Sequence, residues 1–288
     1  MKVYGEYTQD QLDAQYNLRA RHPDHPEHFA RWSRASADAR SSVPCQSDIR
    51  YGDGDKQSLD LFRATASSGP RPLLAFIHGG YWQAMDKSDF GFLAPSFTRK
   101  GITLAVLNYG LAPHATIHEI VDDVRAALIW LWRNAAGLGA DPARLFVSGH
   151  SAGGHLTAMM LATDWEALGA DLPRDLVKGG CSISGLYDLE PIRLCFLNEA
   201  LAMTASDARR ASPVHLSAPT APLLLAVGGE ETEEFHRQQA ELVRAWRSDK
   251  LREIDMPGHD HFSIMGSLAD EASPLHCAVV ELVADTAE

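Results

Sequence analysis

The sequence of 288 residues predicts an α/β fold in which a mostly parallel central sheet carries helices on both faces. Short, nearly continuous apolar runs alternate with helix-like segments from residue 57 onward, and such runs are typical of strands that a parallel sheet buries on both faces. Residues 1–45 differ, because they are polar and contain too few apolar residues for a core of their own. We therefore predict an N-terminal helical arm over 1–45 and one main domain over 46–288.

Each predicted element rests on its apolar period or on its bounding residues. In the arm, 9–21 and 28–40 are helix-like, and the prolines between them interrupt a helix. The predicted strands of the main domain are 58–62, 72–78, 102–109, 144–150, 177–185, 222–229 and 251–256. The predicted helices are 88–100, 117–131, 152–163, 233–247 and 273–287. The stretch 186–220 breaks this alternation, and we expect it to form loops and helices beside the site.

Composition excludes several classes of protein. The chain has 38 acidic and 26 basic residues, a formal charge of −12, which disfavours nucleic-acid binding and docking on anionic membranes. It has no apolar stretch of about 18 residues and no secretory signal, so no membrane segment is predicted. The cysteines are far apart without a CxxC pair, which is typical of free thiols in a reducing cytoplasm. They are Cys45, Cys181, Cys195 and Cys277.

The motif GHSAGG at 149–154 places a serine between a predicted buried strand and a helix of small residues. This is the context that a G-x-S-x-G nucleophile requires. Gly149 and Gly153 lack the Cβ atoms that would collide in so tight a turn, and the turn lifts the Ser151 hydroxyl above the sheet. The helix start directs its N–H groups, including that of Ala152, at an anion beside the serine. An ordinary Gly-rich turn is the alternative, and the flanking strand and helix disfavour it.

The motif HGGYW at 78–82 directly follows the predicted strand 72–78. In this position two glycines allow backbone N–H groups to turn toward a substrate oxygen, and we expect those of Gly80 and Tyr81 to do so. His78 is expected to brace the loop through hydrogen bonds rather than to transfer protons. Tyr81 and Trp82 follow the glycines, so we predict that they line a substrate pocket.

A histidine base is expected on a loop above the sheet, near the C-terminus. The segment GHDHF at 258–262 offers His259 and His261. We favour His261, because Phe262 and Ile264 can pack under the loop and fix it. His259 is interpreted as a solvated loop residue.

The acid that orients this histidine should follow the predicted strand 222–229, where the loop reads GGEETEEF. We predict Glu231, with Glu230 as the second candidate. Glu233 and Glu234 are expected on the first turn of the next helix, where the helix dipole favours acids.

Metal binding is not predicted. His22, His25 and His28 are separated by prolines and have no acidic or cysteine partner in a ligand pattern. The segment HATIHE, which contains His114 and His118, does not match the zinc motif HExxH.

Taken together, HGGYW, GHSAGG and the late DHF histidine resemble the α/β-hydrolase fold, and within it the kynurenine formamidase (arylformamidase) branch. The segments YGDGDKQSLDLF, NYGLAP, SGLYDLEP, EFHRQQ and QYNLR are similar to that branch too, so the resemblance covers nearly the whole chain. Two residues depart from related patterns. Tyr81 replaces a glycine that hormone-sensitive-lipase-type esterases carry, and the acid is Glu where arylformamidases often have Asp.

The resemblance implies a cofactor-independent serine hydrolase that releases formate from an N-formyl aryl amide such as N-formylkynurenine, a step of tryptophan catabolism. It implies Ser151, Glu231 and His261 as the triad, and Gly80, Tyr81 and Ala152 as the oxyanion hole. No metal, organic cofactor or partner beyond a small-molecule substrate is implied. A carboxylesterase for short-chain acyl esters is the alternative. A non-catalytic binding protein is another, although such proteins usually lose the serine or the histidine. The oligomeric state is not indicated.

Overall fold

A mixed, mostly parallel sheet forms the centre of the molecule in the computed structural model, which describes residues 1–64 and 69–284. A small antiparallel hairpin precedes it, formed by β1 (Lys2–Tyr4) and β2 (Tyr7–Thr8). The main-sheet strands are β3 (Cys45–Arg50), β4 (Ser58–Phe62), β5 (Arg71–Ile77), β6 (Thr103–Leu107), β7 (Ala140–His150), β8 (Gly180–Ile183), β9 (Leu223–Gly228) and β10 (Leu251–Met256). Their spatial order is β10-β9-β8-β7-β5-β6-β4-β3, parallel from β10 to β6 and antiparallel at the β4 and β3 edge.

Helices cover this sheet. They are α1 (Gln9–Tyr16), α2 (Leu18–Arg21), α3 (His25–Ser42), α4 (Ala94–Arg99), α5 (Ile117–Leu138), α6 (Ala152–Leu161), α7 (Glu190–Leu194), α8 (Asn198–Leu201), α9 (Ala205–Arg210), α10 (Glu233–Trp246), α11 (Ile264–Ala269) and α12 (Pro274–Ala284). Every residue of β4, β6 and β8 is buried. Because successive side chains of a strand point to opposite faces, both faces of the sheet are covered. The predicted α/β fold is confirmed.

Helix α5 illustrates how the sequence fixes an element. Its N-terminus is a capping box, in which the Glu119 N–H donates to Thr116 Oγ1 and the Thr116 N–H donates to Glu119 Oε2. Its predicted apolar face is buried, and it ends at Gly139, whose φ of 77° favours glycine. Burying this face against the sheet stabilises the helix more than its intrinsic propensity does.

The structure corrects the predicted helix over 88–100. Two short 3-10 turns, Lys87–Asp89 and Gly91–Leu93, occupy the first half, and only Ala94–Arg99 is an α-helix. Pro95 explains this difference, since proline fits the first turn of a helix but not its interior.

Smaller differences concern element ends. The helix-like stretch 9–21 breaks at Asn17, and the second arm helix begins at His25, with Pro26 in its first turn. The predicted strand 177–185 is a strand only over Gly180–Ile183. The closing helix is Pro274–Ala284, and 285–287 of its predicted span lie outside the described residues.

The first 45 residues share the core of the rest of the chain. Leu12 and Tyr16 are fully buried in the same hydrophobic cluster as the sheet. The Tyr16 hydroxyl donates to Glu234 Oε2 at 2.6 Å, and the Tyr4 hydroxyl donates to Asp188 Oδ2 at 2.8 Å. These contacts hold the arm against α10 and the loop after β8.

The topology brings four loops to one edge of the sheet. Strands β5 and β7 are parallel neighbours with Ile77 opposite Gly149, so the loops that follow them begin side by side. Strands β9 and β10 are likewise parallel, with Gly228 opposite Met256. In open α/β sheets, ligands bind at this carboxyl edge of the strands. The motifs of the sequence all follow these strands.

Candidate active site

Ser151 lies on the sharp turn between β7 and α6. Its φ of 57° and ψ of −118° are strained for a residue with a side chain, and its N–H donates to the Ile183 carbonyl at 2.8 Å. A Cβ on Gly149 would overlap the Gly153 carbonyl, and one on Gly153 would overlap the Ile77 carbonyl. The two glycines therefore allow β7, α6 and β5 to meet closely enough to form this turn.

The loop after β5 packs its backbone directly against the serine. A Cβ on Gly79 would lie 3.1 Å from Ser151 Cβ, so only glycine fits without displacing the serine. Gly80 has a φ of 104°, and its carbonyl accepts from the N–H groups of Gln83 and Ala84 at 3.0 and 3.1 Å. This turn folds the loop back over the cavity.

The backbone N–H groups that were predicted to form the oxyanion hole have no acceptor within the described chain. Across residues 1–64 and 69–284, no acceptor takes the N–H groups of Gly80, Tyr81 or Ala152. Ala152 begins helix α6, and the first N–H groups of a helix have no partner within it. These are the three donors that the sequence assigned to an oxyanion hole, and they are available to a ligand oxygen.

His78 is buried behind this loop. Its Nδ1 donates to the Gly79 carbonyl at 2.8 Å, and its ring stacks on Tyr109 with 4.4 Å between ring centroids. The Tyr109 hydroxyl donates to the His78 carbonyl at 2.8 Å. Burial lowers the pKa of His78 to about 4, so the ring is neutral at pH 7. These contacts support the bracing role that the sequence predicts.

His261 and Glu231 form a buried pair. His261 Nδ1 lies 2.7 Å from Glu231 Oε2. The other carboxylate oxygen, Oε1, accepts from the Ser184 hydroxyl at 2.5 Å and from the Gly228 N–H at 2.8 Å. With Nδ1 donating to the carboxylate, the Nε2 atom of His261 carries the lone pair. The carboxylate thus selects the tautomer that can accept a proton on the other nitrogen.

The remaining candidate residues are placed elsewhere. Glu230 is exposed, and its N–H donates to the His259 carbonyl. Glu233 and Glu234 are the first residues of α10, as the sequence predicts. The structure therefore brings Glu231, and not Glu230, to His261.

Ser151 and His261 line one cavity of about 370 Å³. His150 lies between their loops: its Nε2 donates to the His261 carbonyl at 2.9 Å, and the two rings are 4.5 Å apart. Burial lowers the pKa of His150, which keeps its ring neutral. Apart from its position beside Ser151, nothing in the sequence pattern indicates a role for His150.

Aromatic side chains form much of the cavity wall. They come from the arm, from the loop after β5, from the segment between α7 and α8, and from the residue after His261. These aromatic residues are Tyr16, Phe29, Trp32, Tyr81, Phe90, Phe196 and Phe262. Phe196 and Leu197 belong to the stretch 186–220, which was expected beside the site. Such a lining favours a ligand with an aryl group.

The structure corrects the placement of Trp82. Tyr81 lines the cavity, but Trp82 does not; its indole is fully buried and meets the His155 ring edge-on at 5.1 Å. Both residues have positive φ angles, 51° and 57°. In this tight turn one of the two neighbouring side chains faces the cavity and the other faces the core.

The arm residues of the cavity were not predicted as site residues. Tyr16, Asn17, Leu18 and Arg19 line the cavity, although more than a hundred residues separate them from Ser151. They belong to the segment QYNLR, which the family resemblance had singled out without a role. The likeness of this segment to the family was therefore the sequence signal that could have identified these cavity residues.

Among residues 1–64 and 69–284, no group of three or more His, Cys, Asp or Glu side chains is arranged to hold a metal ion. Within the same residues, no helix is both long enough and apolar enough to cross a bilayer.

Comparison with known proteins places these features in context. The BD-FAE family model matches residues 59–246. The kynurenine formamidase of Danio rerio is 32% identical over 296 aligned positions, which cover 94% of this chain and 95% of that protein. The esterase LipC of Mycobacterium tuberculosis is 30% identical, covering 74% of this chain and 58% of its own. A crystal structure from Silicibacter sp. TM1040, described as a proposed thioesterase, superposes with a TM-score of 0.82 and 32% identity, covering 95% of this chain and 98% of that one.

Proposed function

The chain belongs to the BD-FAE family of α/β-hydrolases and is a hydrolase, and on this premise we propose that it cleaves N-formyl aryl amides with Ser151 as nucleophile. The observation that supports this most is the common cavity of Ser151 and His261, with Glu231 2.7 Å behind the imidazole. The aryl formamide substrate is supported by the aromatic wall and by the similarity to the Danio rerio kynurenine formamidase.

In the proposed reaction, the Ser151 hydroxyl attacks the formyl carbon and His261 Nε2 takes the hydroxyl proton. The carbonyl electrons move onto oxygen, where the N–H groups of Gly80, Tyr81 and Ala152 stabilise the negative charge. Collapse of this intermediate breaks the C–N bond, and the arylamine leaves with the proton from His261. Water then attacks the formyl-serine ester with His261 again as base, releasing formate and restoring Ser151.

Glu231 acts through His261. Its carboxylate is fixed by Ser184 and Gly228, so it stays in place while the imidazole gains and loses a proton. A buried carboxylate next to Nδ1 stabilises the imidazolium that forms in each step.

An esterase is the second candidate, because LipC is an esterase and the similar solved structure is described as a proposed thioesterase. Rates on formamides and on esters separate the candidates, and a pair of amides that share a leaving group tests the preference for the formyl group. We expect kcat/KM for N-formylkynurenine to exceed that for its N-acetyl analogue by about 10–200-fold, the usual discrimination for one carbon atom. Release of kynurenine, the product that both substrates share, by the pure protein is the measurement.

The same comparison includes phenyl acetate, phenyl butyrate and an acetyl thioester, each followed by release of its phenol or thiol. If formamides are inert while these esters turn over, the formamide assignment is wrong and the serine hydrolase assignment is retained. If the protein hydrolyses none of these substrates and Ser151 is not labelled by a fluorophosphonate, the proposed nucleophile is wrong.

Tyr81 connects the oxyanion loop to the arm, because its hydroxyl donates to the Tyr16 carbonyl at 2.9 Å. We expect Tyr81→Phe to lower the free energy of unfolding by about 1 kcal/mol, the net value of such a hydrogen bond. We also expect a fall in kcat, since the N–H group of the same residue would be held less firmly. Chemical denaturation and steady-state kinetics measure the two effects.

The matched control is Tyr7→Phe. It removes a hydroxyl that donates to Glu233 Oε2 at 3.4 Å, and this hydrogen bond lies away from the cavity. It should leave kcat unchanged. Equal kcat values for Tyr81→Phe and the wild type would show that the hydroxyl does not position the loop.

A further inference from the structure

The charge of the cavity wall is opposite to that of the whole chain. The chain carries a formal charge of −12, yet no acidic residue is among the described residues that line the cavity. Among the described lining residues, Arg19 is the only side chain besides the imidazoles of His150 and His261 that can carry a charge near pH 7. In so acidic a protein, a wall that excludes carboxylates and presents a guanidinium favours an anionic ligand.

Arg19 is not paired with any carboxylate of residues 1–64 and 69–284. In the described part of the chain, no Asp or Glu oxygen lies within ion-pair distance of it, and the same is true of its neighbour Arg21, whereas Arg40 and Arg237 each pair with an acid. Its guanidinium carbon lies 6.0 Å from the centroid of the Phe29 ring, which also lines the cavity. An exposed arginine against an aromatic ring presents several planar donors that match a carboxylate.

The position of Arg19 is fixed by the arm. It lies on the short helix α2, between Leu18, which is buried, and the exposed Ala20 and Arg21. The preceding Tyr16 is anchored by Glu234 and by the loop that carries Tyr81. The arginine is therefore carried by a segment attached both to the main domain and to the oxyanion loop.

We propose that Arg19 binds a carboxylate of the substrate, and that the preferred substrates are aryl amides or esters with a carboxylate remote from the acyl group. This proposal deepens the proposed function and rests on it for the reacting bond. N-formylkynurenine carries such a carboxylate on its amino-acid side chain, whereas a simple aryl formamide does not. The guanidinium makes its contact before and after bond cleavage alike, so it lowers KM rather than raising kcat.

The test compares Arg19→Gln with Arg21→Gln. Both variants remove one positive charge from the same short helix, but only Arg19 lines the cavity. The substrates are an ortho-formamidophenyl ketone with a propanoate chain and its neutral primary amide, which differ in charge and hardly in size. We expect Arg19→Gln to raise KM for the propanoate about tenfold, with kcat and the kinetics of the amide unchanged.

Arg21→Gln should leave all four values unchanged. If it raises KM for the propanoate equally, a general electrostatic field rather than contact with Arg19 is responsible, and the proposal is wrong. If Arg19→Gln raises KM equally for the propanoate and the amide, or raises it for neither, the proposal is also wrong. Unfolding curves for both variants identify any loss of folded protein, and Arg19→Lys, which keeps the charge, should recover part of the KM effect.

The result does not depend on formamide cleavage. If the protein hydrolyses esters but no formamides, the same comparison is made with phenyl acetates that carry the propanoate or the propanamide chain. Selective loss of the anionic ester in Arg19→Gln would then support Arg19 although the formamidase proposal had failed. If the protein cleaves formamides but shows no preference for the anionic substrate, the formamidase proposal is supported and the role of Arg19 is wrong.

Discussion

Replacing Ser151 with alanine is expected to lower kcat by about a millionfold, the order found when the nucleophile of a serine triad is removed. The hydroxyl is the atom that attacks in the proposed reaction, and neither His150 nor His261 can form the acyl ester in its place. Formate release and labelling by a fluorophosphonate measure the loss. Substrate binding should persist, because the cavity wall is unchanged.

Ser151→Gly is the matched variant for this experiment. It also lacks the hydroxyl, but glycine adopts the φ of 57° without strain. We expect it to be about 1 kcal/mol more stable to unfolding than Ser151→Ala, and equally inactive. Substantial turnover in either variant would mean that another group or a bound water attacks the substrate, and the assignment of Ser151 would be wrong.

Replacing Glu231 with glutamine is expected to lower kcat by about ten-thousandfold, as in triads whose acid becomes an amide. The glutamine carbonyl can still accept from Ser184 and Gly228, so its amide N–H₂ group would face His261 Nδ1. Nδ1 would then have to accept, which places the proton on Nε2. In that tautomer the imidazole cannot take the serine proton.

Glu230→Gln is the control, because Glu230 is exposed and neighbours Glu231 in sequence. It makes the same change of charge and should keep the wild-type kcat. Steady-state kinetics of both variants, with unfolding curves, measure the comparison. Equal activity in Glu231→Gln and the wild type, or a larger loss in Glu230→Gln, would contradict the proposed role.

The site was predictable to the extent that its parts are local in sequence. Ser151, the glycines after β5 and the loop after β9 each follow a strand whose apolar run is visible, and parallel strands deliver their loops to one edge. Loop length favours Glu231 over Glu230 in the sequence. In the structure, Glu231 is the one whose carboxylate lies within hydrogen-bond distance of His261 Nδ1.

Long-range contacts and side-chain directions were not predictable in this way. The motif HGGYW does not predict that Tyr81 faces the cavity while Trp82 packs on His155. These side-chain directions depend on the positive φ angles of both residues, which the sequence does not reveal. The short strand β3 has a mixed polar sequence and pairs with β4 at the sheet edge, so it has no apolar run to reveal it. The arm wall depends on hydrogen bonds such as that from Tyr16 to Glu234, which link residues 218 positions apart.

The cavity takes its wall from five separate stretches of chain, around residues 16–32, 79–90, 150–151, 196–197 and 261–262. During synthesis, a nascent chain from which residue 262 has not yet emerged from the ribosome has no complete pocket, even if its earlier strands have already paired. Enzymatic turnover therefore requires that all five stretches have come together. Hydrolysis thus reports the assembly of the whole wall, including the contact between its two distant ends.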